Sequence, residues 1–337
     1  MEGSHSHRGH DPKKHRHQHG MIDPRITTSE RGKWAVKWSF IGLMITAIFQ
    51  VIIVLLSSSV ALLADTLHNF GDAFTALPLW IAFHLARRKP SRRFTYGMGR
   101  VEDLAGVFIV LVILASAVSA GYESVYRFFD PQPVKLLWAV AGAGLIGFAG
   151  NELVARFRIK VGKEIKSAAL QADGHHARVD GLTSLSVLFS VLGVWLGYPL
   201  ADPIIGLLIT LAILRIVWEA GKSVAMRLLD GVDPELVDEI KDAVNHTDGV
   251  KEVTEVRARW IGHQLNAEVN LAVPPDLSVA DAHDISQLAR HEILDQLPYL
   301  SNAIIHIDPQ DSSGEKFHRN DLHEADGQDP PPASEIV

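Results

Sequence analysis

Six long apolar stretches occupy the first two thirds of the chain, separated by short polar segments. A helix that crosses a bilayer needs about 20 mostly apolar residues. Open strands are excluded there, because their backbone groups would stay unpaired in lipid. The pattern therefore predicts six transmembrane helices, over residues 34–56, 60–85, 104–126, 134–157, 168–196 and 203–224.

After residue 230 the pattern becomes typical of a water-soluble domain. Apolar residues at helical spacing predict helices over 234–245 and 278–297, and alternation predicts strands over 250–261, 264–273 and 303–307. The order αββαβ indicates a small two-layer α+β domain. The expected division is a disordered His-rich tail (1–30), a six-helix transmembrane domain (31–226), an α+β domain (227–310) and a disordered acidic tail (311–337).

Positive charge is concentrated in alternate connections between the predicted spans. The segment before the first span and the second and fourth loops hold Arg31, Lys33, Lys37, Arg87, Arg88, Lys89, Arg92, Arg93, Arg100, Arg156, Arg158, Lys160, Lys163 and Lys166. Loops rich in Lys and Arg face the cytoplasm. Both termini are therefore expected in the cytoplasm, with the chain in the cell (inner) membrane.

Composition narrows the chemistry that the chain can perform. The net charge of −7 provides no basic face, so we expect no nucleic-acid partner. The chain has no cysteine, which excludes disulfides and thiolate metal sites. A bound metal must then be held by His, Asp or Glu. The first twenty residues are polar, and no cleavable signal peptide is expected.

A repeated motif lies within the apolar region. Residues 64–72 read ADTLHNFGD and residues 172–180 read ADGHHARVD, both matching A-D-x-x-H-x-x-x-D. On a helix the three polar positions fall within about 60° of one another and form one stripe. The two stripes comprise Asp65, His68 and Asp72, and Asp173, His176 and Asp180.

Ionisable side chains are costly in a transmembrane helix, at about 2.5–3.5 kcal/mol for a central Asp, so they normally face a cavity or a partner. Two imidazoles and two carboxylates, from His68, Asp72, His176 and Asp180, suit a tetrahedral divalent ion, zinc first, with cobalt, nickel, iron or cadmium as alternatives. Other residues have open interpretations. Asp65 and Asp173 are either helix caps or cavity-mouth residues. His175 is an entrance or hydrogen-bonding residue rather than a ligand, and Glu152 lies either in the cavity or at the membrane surface.

These motifs, with FTYGMGRVE (94–102), ADPIIGLLI (201–209) and IIHIDP (304–309), resemble the cation diffusion facilitator family over about residues 30–310. The resemblance implies a homodimeric metal–proton antiporter with a metallochaperone-like cytoplasmic domain that dimerises. It implies that the transport site is His68 and Asp72 with His176 and Asp180, and that a His at the first position marks zinc preference over manganese.

The resemblance also implies two features of the cytoplasmic side. Arg100 would form an ion pair with Asp230 and so tie the spans to the C-terminal domain. A regulatory zinc site would use His283, His306 and Asp308, although Thr254 and Asn270 stand where the family often has His.

The transport mechanism follows from the ligands and from what the chain lacks. No phosphate-binding G-x-x-x-x-G-K-[ST] motif is present, so the chain itself is not an ATP-driven pump. Histidine, with an ordinary pKa of about 6.5, must lose its proton to bind metal. We therefore expect export of metal in exchange for protons, with no prosthetic group. A membrane metalloenzyme and a passive channel or metal sensor are the competing interpretations.

Overall fold

A computed structural model describes residues 24–57, 76–129, 137–198 and 200–313. Within these ranges the N-terminal part contains six helices: α1 (Pro24–Ser57), α2 (Ala76–Ala86), α3 (Arg100–Phe129), α4 (Leu137–Glu164), α5 (Ala168–Trp195) and α6 (Ala201–Leu228). Three of them, α1, α3 and α6, are long and apolar enough to cross a membrane. The prediction of a helical membrane domain is confirmed, and the count of six spans stays a prediction.

Helix α1 begins earlier than expected. It starts at Pro24, inside the tail predicted to be disordered up to residue 30. Hydropathy misses this first part because it is polar and extends beyond the apolar stretch. Glu30 stabilises it through ion pairs with Lys33, at 2.9 Å, and with Arg87 at the end of the second predicted span.

Both the inward and the outward faces of the long helices are apolar. On α3, the four residues Ala105, Ile109, Ile113 and Ala117 recur every fourth position and are buried against the other helices. The opposite face exposes Leu111, Val118 and Tyr122, and α6 likewise exposes Leu208, Leu211 and Trp218. Large apolar side chains on the exposed face, with apolar packing on the buried face, are the arrangement expected of helices that lie in lipid.

Helices α4 and α5 are in close contact at two glycines. A Cβ atom on Gly162 would lie 2.9 Å from the backbone nitrogen of Gln171, and one on Gly174 would lie 2.9 Å from that of Ile159. Such distances are too short for any side chain, so glycine is needed at both positions. The backbones of α4 and α5 therefore touch along the segment that carries the second polar stripe.

The C-terminal part has the predicted order αββαβ, with α7 (Pro234–Asn245), β1 (Glu252–Ile261), β2 (Gln264–Val273), α8 (Val279–Gln296) and β3 (Leu300–Pro309). Strand β2 is central, antiparallel to β1 and parallel to β3. Its alternate residues Leu265, Val269 and Leu271 are fully buried, in one core with Ile240 of α7 and Ile293 of α8. The predicted α+β fold is confirmed, and β3 is longer than expected.

Candidate metal-transport site

The second polar stripe lies inside the helical bundle on α5. Asp173, His176 and Asp180 are 0%, 1% and 5% exposed. The Nδ1 atom of His176 lies 3.7 Å from Oδ1 of Asp180. Two ligands bound about 2.0–2.1 Å from a tetrahedral zinc ion lie about 3.4 Å apart. His176 and Asp180 are therefore close to the separation at which one ion can contact both.

The first stripe lies outside the described residues. Asp65, His68 and Asp72 fall within residues 58–75, so their convergence with His176 and Asp180 stays a prediction. Within the described ranges, no group of three or more His, Asp or Glu side chains is placed to hold a metal. The described part of the chain therefore supplies two of the four predicted ligands.

Asp173 has a partner that the sequence analysis did not assign. It lies in the second turn of α5, five residues after the helix begins, so it is not a helix cap. Its Oδ2 atom lies 3.1 Å from Nη1 of Arg158 on α4, and both side chains are buried. Arg158 also donates a hydrogen bond from Nε to the hydroxyl of Ser39 on α1, at 2.9 Å. Three helices thus meet at one buried ion pair.

Burial of Arg158 corrects an assumption of the sequence analysis. The sequence places Arg158 among the positive charges of the loop between the fourth and fifth predicted spans, yet it lies within α4 and its exposed fraction is 0%. Because a positive-inside count cannot separate inward-facing from outward-facing arginines, the error could not have been avoided from composition alone. The other loop charges still support the predicted orientation.

Glu152 and His175 lie away from the stripe. Glu152 accepts hydrogen bonds from Arg156, at 2.7 Å, and from Arg178, at 3.2 Å, so its charge is balanced by two guanidinium groups. His175 is half-buried and is turned about 100° from His176 around the helix. Neither side chain joins His176 and Asp180 in the described structure.

Additional buried polar residues lie within the same bundle. Gln50 on α1, Asn151 on α4 and Ser184 on α5 are 0%, 4% and 6% exposed. A Cβ atom on Gly147 would contact both Ser184, at 2.8 Å, and Gln50, at 3.1 Å, which places these two side chains together. In the sequence, these residues could be identified only as single polar positions inside apolar stretches. They give the interior of the bundle a hydrophilic lining near the stripe.

The C-terminal domain brings together two of its three predicted ligands. Nε2 of His306 lies 2.9 Å from Oδ1 of Asp308 on the same strand. His283 on α8 is exposed and does not complete a three-ligand cluster with them among the described residues. Metal binding by His283, His306 and Asp308 stays a prediction.

The two parts of the chain are joined by the residues that precede and open α3. Arg100 forms an ion pair with Asp230 and donates a hydrogen bond from Nη1 to the carbonyl oxygen of Arg227, at 2.8 Å. Arg227 in turn lies over the ring of Trp260, with Cζ 3.8 Å from the ring centroid. Charged residues from α3 and α6 therefore contact both the linker and strand β1.

A buried acid–imidazole pair lies beside this contact. Oε2 of Glu102 is 2.5 Å from Nδ1 of His263, which occupies the β1–β2 turn. The Nε2 atom of His263 lies 3.2 Å from the hydroxyl of Ser29 on α1, and Ser167 donates to Oε1 of Glu102. His263 lies in the connection between the two strands predicted over 250–261 and 264–273. The first turns of α3 and α5 thus face the C-terminal domain.

Family models match the chain along most of its length. The model described as the cation efflux transmembrane domain matches residues 36–229. The model described as the cytoplasmic domain of cation efflux proteins matches residues 232–310. The two matches meet at the linker that contains Asp230.

Three similar proteins represent the range of relatives. A probable cation efflux system protein of Mycobacterium tuberculosis is 53% identical over 288 residues, covering 86% of this chain and 87% of that one. The manganese efflux system protein MneP of Bacillus subtilis is 27% identical, covering 83% and 98%. The magnetosome protein MamB of Magnetospirillum gryphiswaldense is 26% identical, covering 81% and 93%.

The two family matches together cover both the helical bundle and the α+β domain. This establishes a transporter rather than an enzyme. The chain belongs to the cation efflux, or cation diffusion facilitator, family of integral membrane transporters for divalent metal cations.

Proposed function

We propose that this protein exports zinc from the cytoplasm in exchange for protons, through a site formed by His68, Asp72, His176 and Asp180. The observation that carries the proposal is the buried pair of His176 and Asp180, 3.7 Å apart. An imidazole and a carboxylate buried together in a membrane helix are stabilised when a cation joins them. The repeated motif supplies the second pair.

Zinc is the ion that this donor set suits best. Imidazole nitrogen favours zinc and its neighbours among the transition metals, whereas manganese and magnesium favour oxygen ligands. Cobalt, nickel, iron and cadmium are the alternatives with related preferences. One relative is named for manganese efflux, so manganese belongs among the metals that are compared.

Exchange for protons follows from the need for a neutral imidazole. A histidine that carries a proton at cellular pH must release it as the metal arrives. Two histidines in one site therefore link metal binding to proton release. A proton gradient directed into the cell can then drive metal outward as the site alternates between the two sides.

The proposed orientation places both termini in the cytoplasm of the cell that carries the protein in its inner membrane. The alternating distribution of Lys and Arg supports it, as does the description of the second family model as a cytoplasmic domain. We further propose that the protein acts as a homodimer, with the α+β domain contributing to the dimer contact.

Purified protein in sealed vesicles tests the proposal. With a pH gradient across the membrane, metal flux and internal pH are followed together for zinc, cobalt, nickel, iron, cadmium and manganese. We expect zinc to move fastest, with proton movement in the opposite direction. Metal flux without proton movement would reject exchange, and flux that needs no gradient and does not saturate would indicate a passive channel.

The variant Asp180→Ala tests the site itself. It removes a buried carboxylate ligand and should reduce zinc transport to the rate of empty vesicles. Ser186→Ala is the matched control, because its hydroxyl lies on the same helix and bonds only to the backbone carbonyl of Thr183 among the contacts described. Full transport by Asp180→Ala would show that the site is assigned wrongly.

A further inference from the structure

We propose that Arg158 and Asp173 form a gate on the side of the bundle that faces the C-terminal domain, and that an entering cation must displace Arg158 from Asp173. The inference rests on the proposed function only in taking His176 and Asp180 as the site that the ion reaches. Arg158 acts here as a positioning residue that controls access.

The first argument is position. Asp173, His176 and Asp180 lie on one face of α5, and Asp173 precedes His176 by about 4.5 Å along the helix axis. The start of α5 faces the C-terminal domain, because Nζ of Lys166 lies 5.2 Å from the ring centroid of Tyr299 and Ser167 contacts Glu102, the partner of His263. An ion that approaches along this face from that side meets Asp173 first.

The second argument is closure. The ion pair of Arg158 and Asp173 is completely buried, and Ser39 holds the guanidinium from a third helix. Close contact of α4 with α5 at Gly174 leaves no space beside the pair. His176 and Asp180, one and two turns further along, are almost entirely inaccessible to solvent in the described structure.

The third argument concerns energetics. Removing two charges from water is costly, and a buried ion pair compensates for that cost only when its remaining donors and acceptors are also satisfied. Within the described part of the chain, Nη2 of Arg158 and Oδ1 of Asp173 form no hydrogen bond. The ion pair therefore contributes little to the stability of the fold. A buried ion pair whose hydrogen-bonding groups are only partly used points to a functional role.

The fourth argument is charge. Asp173 presents a carboxylate that attracts a divalent cation, while Arg158 occupies that carboxylate with a single positive charge. Replacement of a monovalent partner by a divalent one is electrostatically favourable at the same carboxylate. The planar guanidinium reaches both Ser39 and Asp173, which the ammonium of a lysine would do less well.

The absence of native cysteine permits a direct test. Ser184→Cys exchanges a hydroxyl for a single thiol one turn beyond Asp180, at a position that is 6% exposed and lies beside Gln50 in the polar interior of the bundle. Cationic and anionic methanethiosulfonate reagents are added to the C-terminal-domain side of sealed vesicles. The rate of thiol modification measures access to the site without any need for transport.

In this background Arg158→Gln should accelerate modification by the cationic reagent by about tenfold or more, the lower end expected when a charged cleft focuses an ion. The rate of modification by the anionic reagent should rise much less, because the carboxylate of Asp173 remains and repels it. Adding Asp173→Asn should abolish this preference for the cation, and Arg158→Lys, which keeps the charge but not both contacts, should give a rate between those of the parent and Arg158→Gln. Arg156→Gln, an exposed arginine on the same helix, is the control and should change nothing.

Two results would overturn the gate. One is that Arg158→Gln leaves the rate of thiol modification by the cationic reagent unchanged. The other is that it raises the modification rates of both reagents equally, which indicates only loosened packing. Loss of zinc transport in Asp180→Ala tests the proposed function separately. A charge-selective effect of Arg158→Gln together with full transport by Asp180→Ala would retain the gate and reject the site.

Discussion

Glu102 at the start of α3 and His263 in the β1–β2 turn are separated by 161 positions in the chain, yet their side chains form a buried contact of 2.5 Å. Each side chain is 1% exposed. The contact joins the membrane bundle directly to the C-terminal domain.

Glu102→Ala should destabilise the whole protein. It leaves the ring of His263 and the hydroxyl of Ser167 without their acceptor in a buried site, at a cost of about 2–4 kcal/mol. Glu102→Gln keeps an acceptor oxygen and should cost less. Thermal unfolding in detergent measures both, with the exposed Asp238→Ala as control; equal midpoints for Glu102→Ala and the parent would contradict this account.

Gly262→Ala should disturb the same contact from the backbone side. Gly262 has a φ of +62°, and an added Cβ would lie 2.8 Å from Oε2 of Glu102 and 2.8 Å from the carbonyl oxygen of Gly99. We expect a loss of about 1–3 kcal/mol in the free energy of unfolding. Gly249→Ala is the control, because Gly249 also has a positive φ but an added Cβ there would contact only Ile285 of the same domain.

The two Gly variants are separated by limited proteolysis of the linker around residue 230. Gly262→Ala should expose the linker to protease in the folded protein, because the bundle and the α+β domain no longer pack closely. Gly249→Ala should leave the cleavage rate unchanged. Similar cleavage of both variants would show that the turn does not support the contact between the two parts.

Asp230 combines an ion pair with an unfavourable backbone conformation. It pairs with Arg100, but the two side chains are 45% and 38% exposed to solvent, and its φ is +57°. An exposed pair contributes about 0–1 kcal/mol, and a left-handed conformation costs a non-glycine residue about 1–2 kcal/mol. Asp230→Gly should therefore be close to neutral in thermal stability, whereas Asp230→Ala should be less stable.

Arg100→Ala should have a larger effect than Asp230→Ala on the same scale. Arg100 also donates to the carbonyl oxygen of Arg227 and lies 3.6 Å from the carboxylate of Asp103, which is 4% exposed. Its removal leaves a buried acid without its nearest cation. The midpoints of thermal unfolding of the two variants test this order. A larger decrease in the midpoint for Asp230→Ala than for Arg100→Ala would contradict it.

His176→Asp should change which metal is transported. Exchange of an imidazole for a carboxylate replaces a nitrogen donor with oxygen, and oxygen donors favour manganese over zinc. Vesicle flux assays should show a lower ratio of zinc to manganese transport than in the parent protein. Because the variant retains the position of a ligand, total loss of transport of both metals would also argue against this reasoning.

The α+β domain was the part most completely predicted from sequence. Strand β2 and helix α7 were predicted with the observed boundaries, since Leu265, Val269 and Leu271 alternate with polar residues and Pro234 marks the first turn of α7. These signals are local to each element. They need no knowledge of how the elements are packed.

The contacts within the bundle could not be predicted in the same way. The stripe on α5 follows from helical periodicity, but the partner of Asp173 depends on how α4 aligns beside α5. Arg158 precedes Asp173 by fifteen positions, across a helix connection, and its sequence context resembles that of the loop arginines. Burial separates it from them, and burial is a property of packing.

The close approach of α4 and α5 at Gly162 and Gly174 has a mechanical consequence. At these two positions no side chain separates the two backbones, so one helix cannot slide past the other. The two helices therefore move as one rigid unit. Arg158 and Asp173 both belong to this rigid unit. Their side chains therefore separate by a change of rotamer rather than by a movement of the two helices away from each other. Rearrangements of that kind are fast compared with the swinging of whole segments.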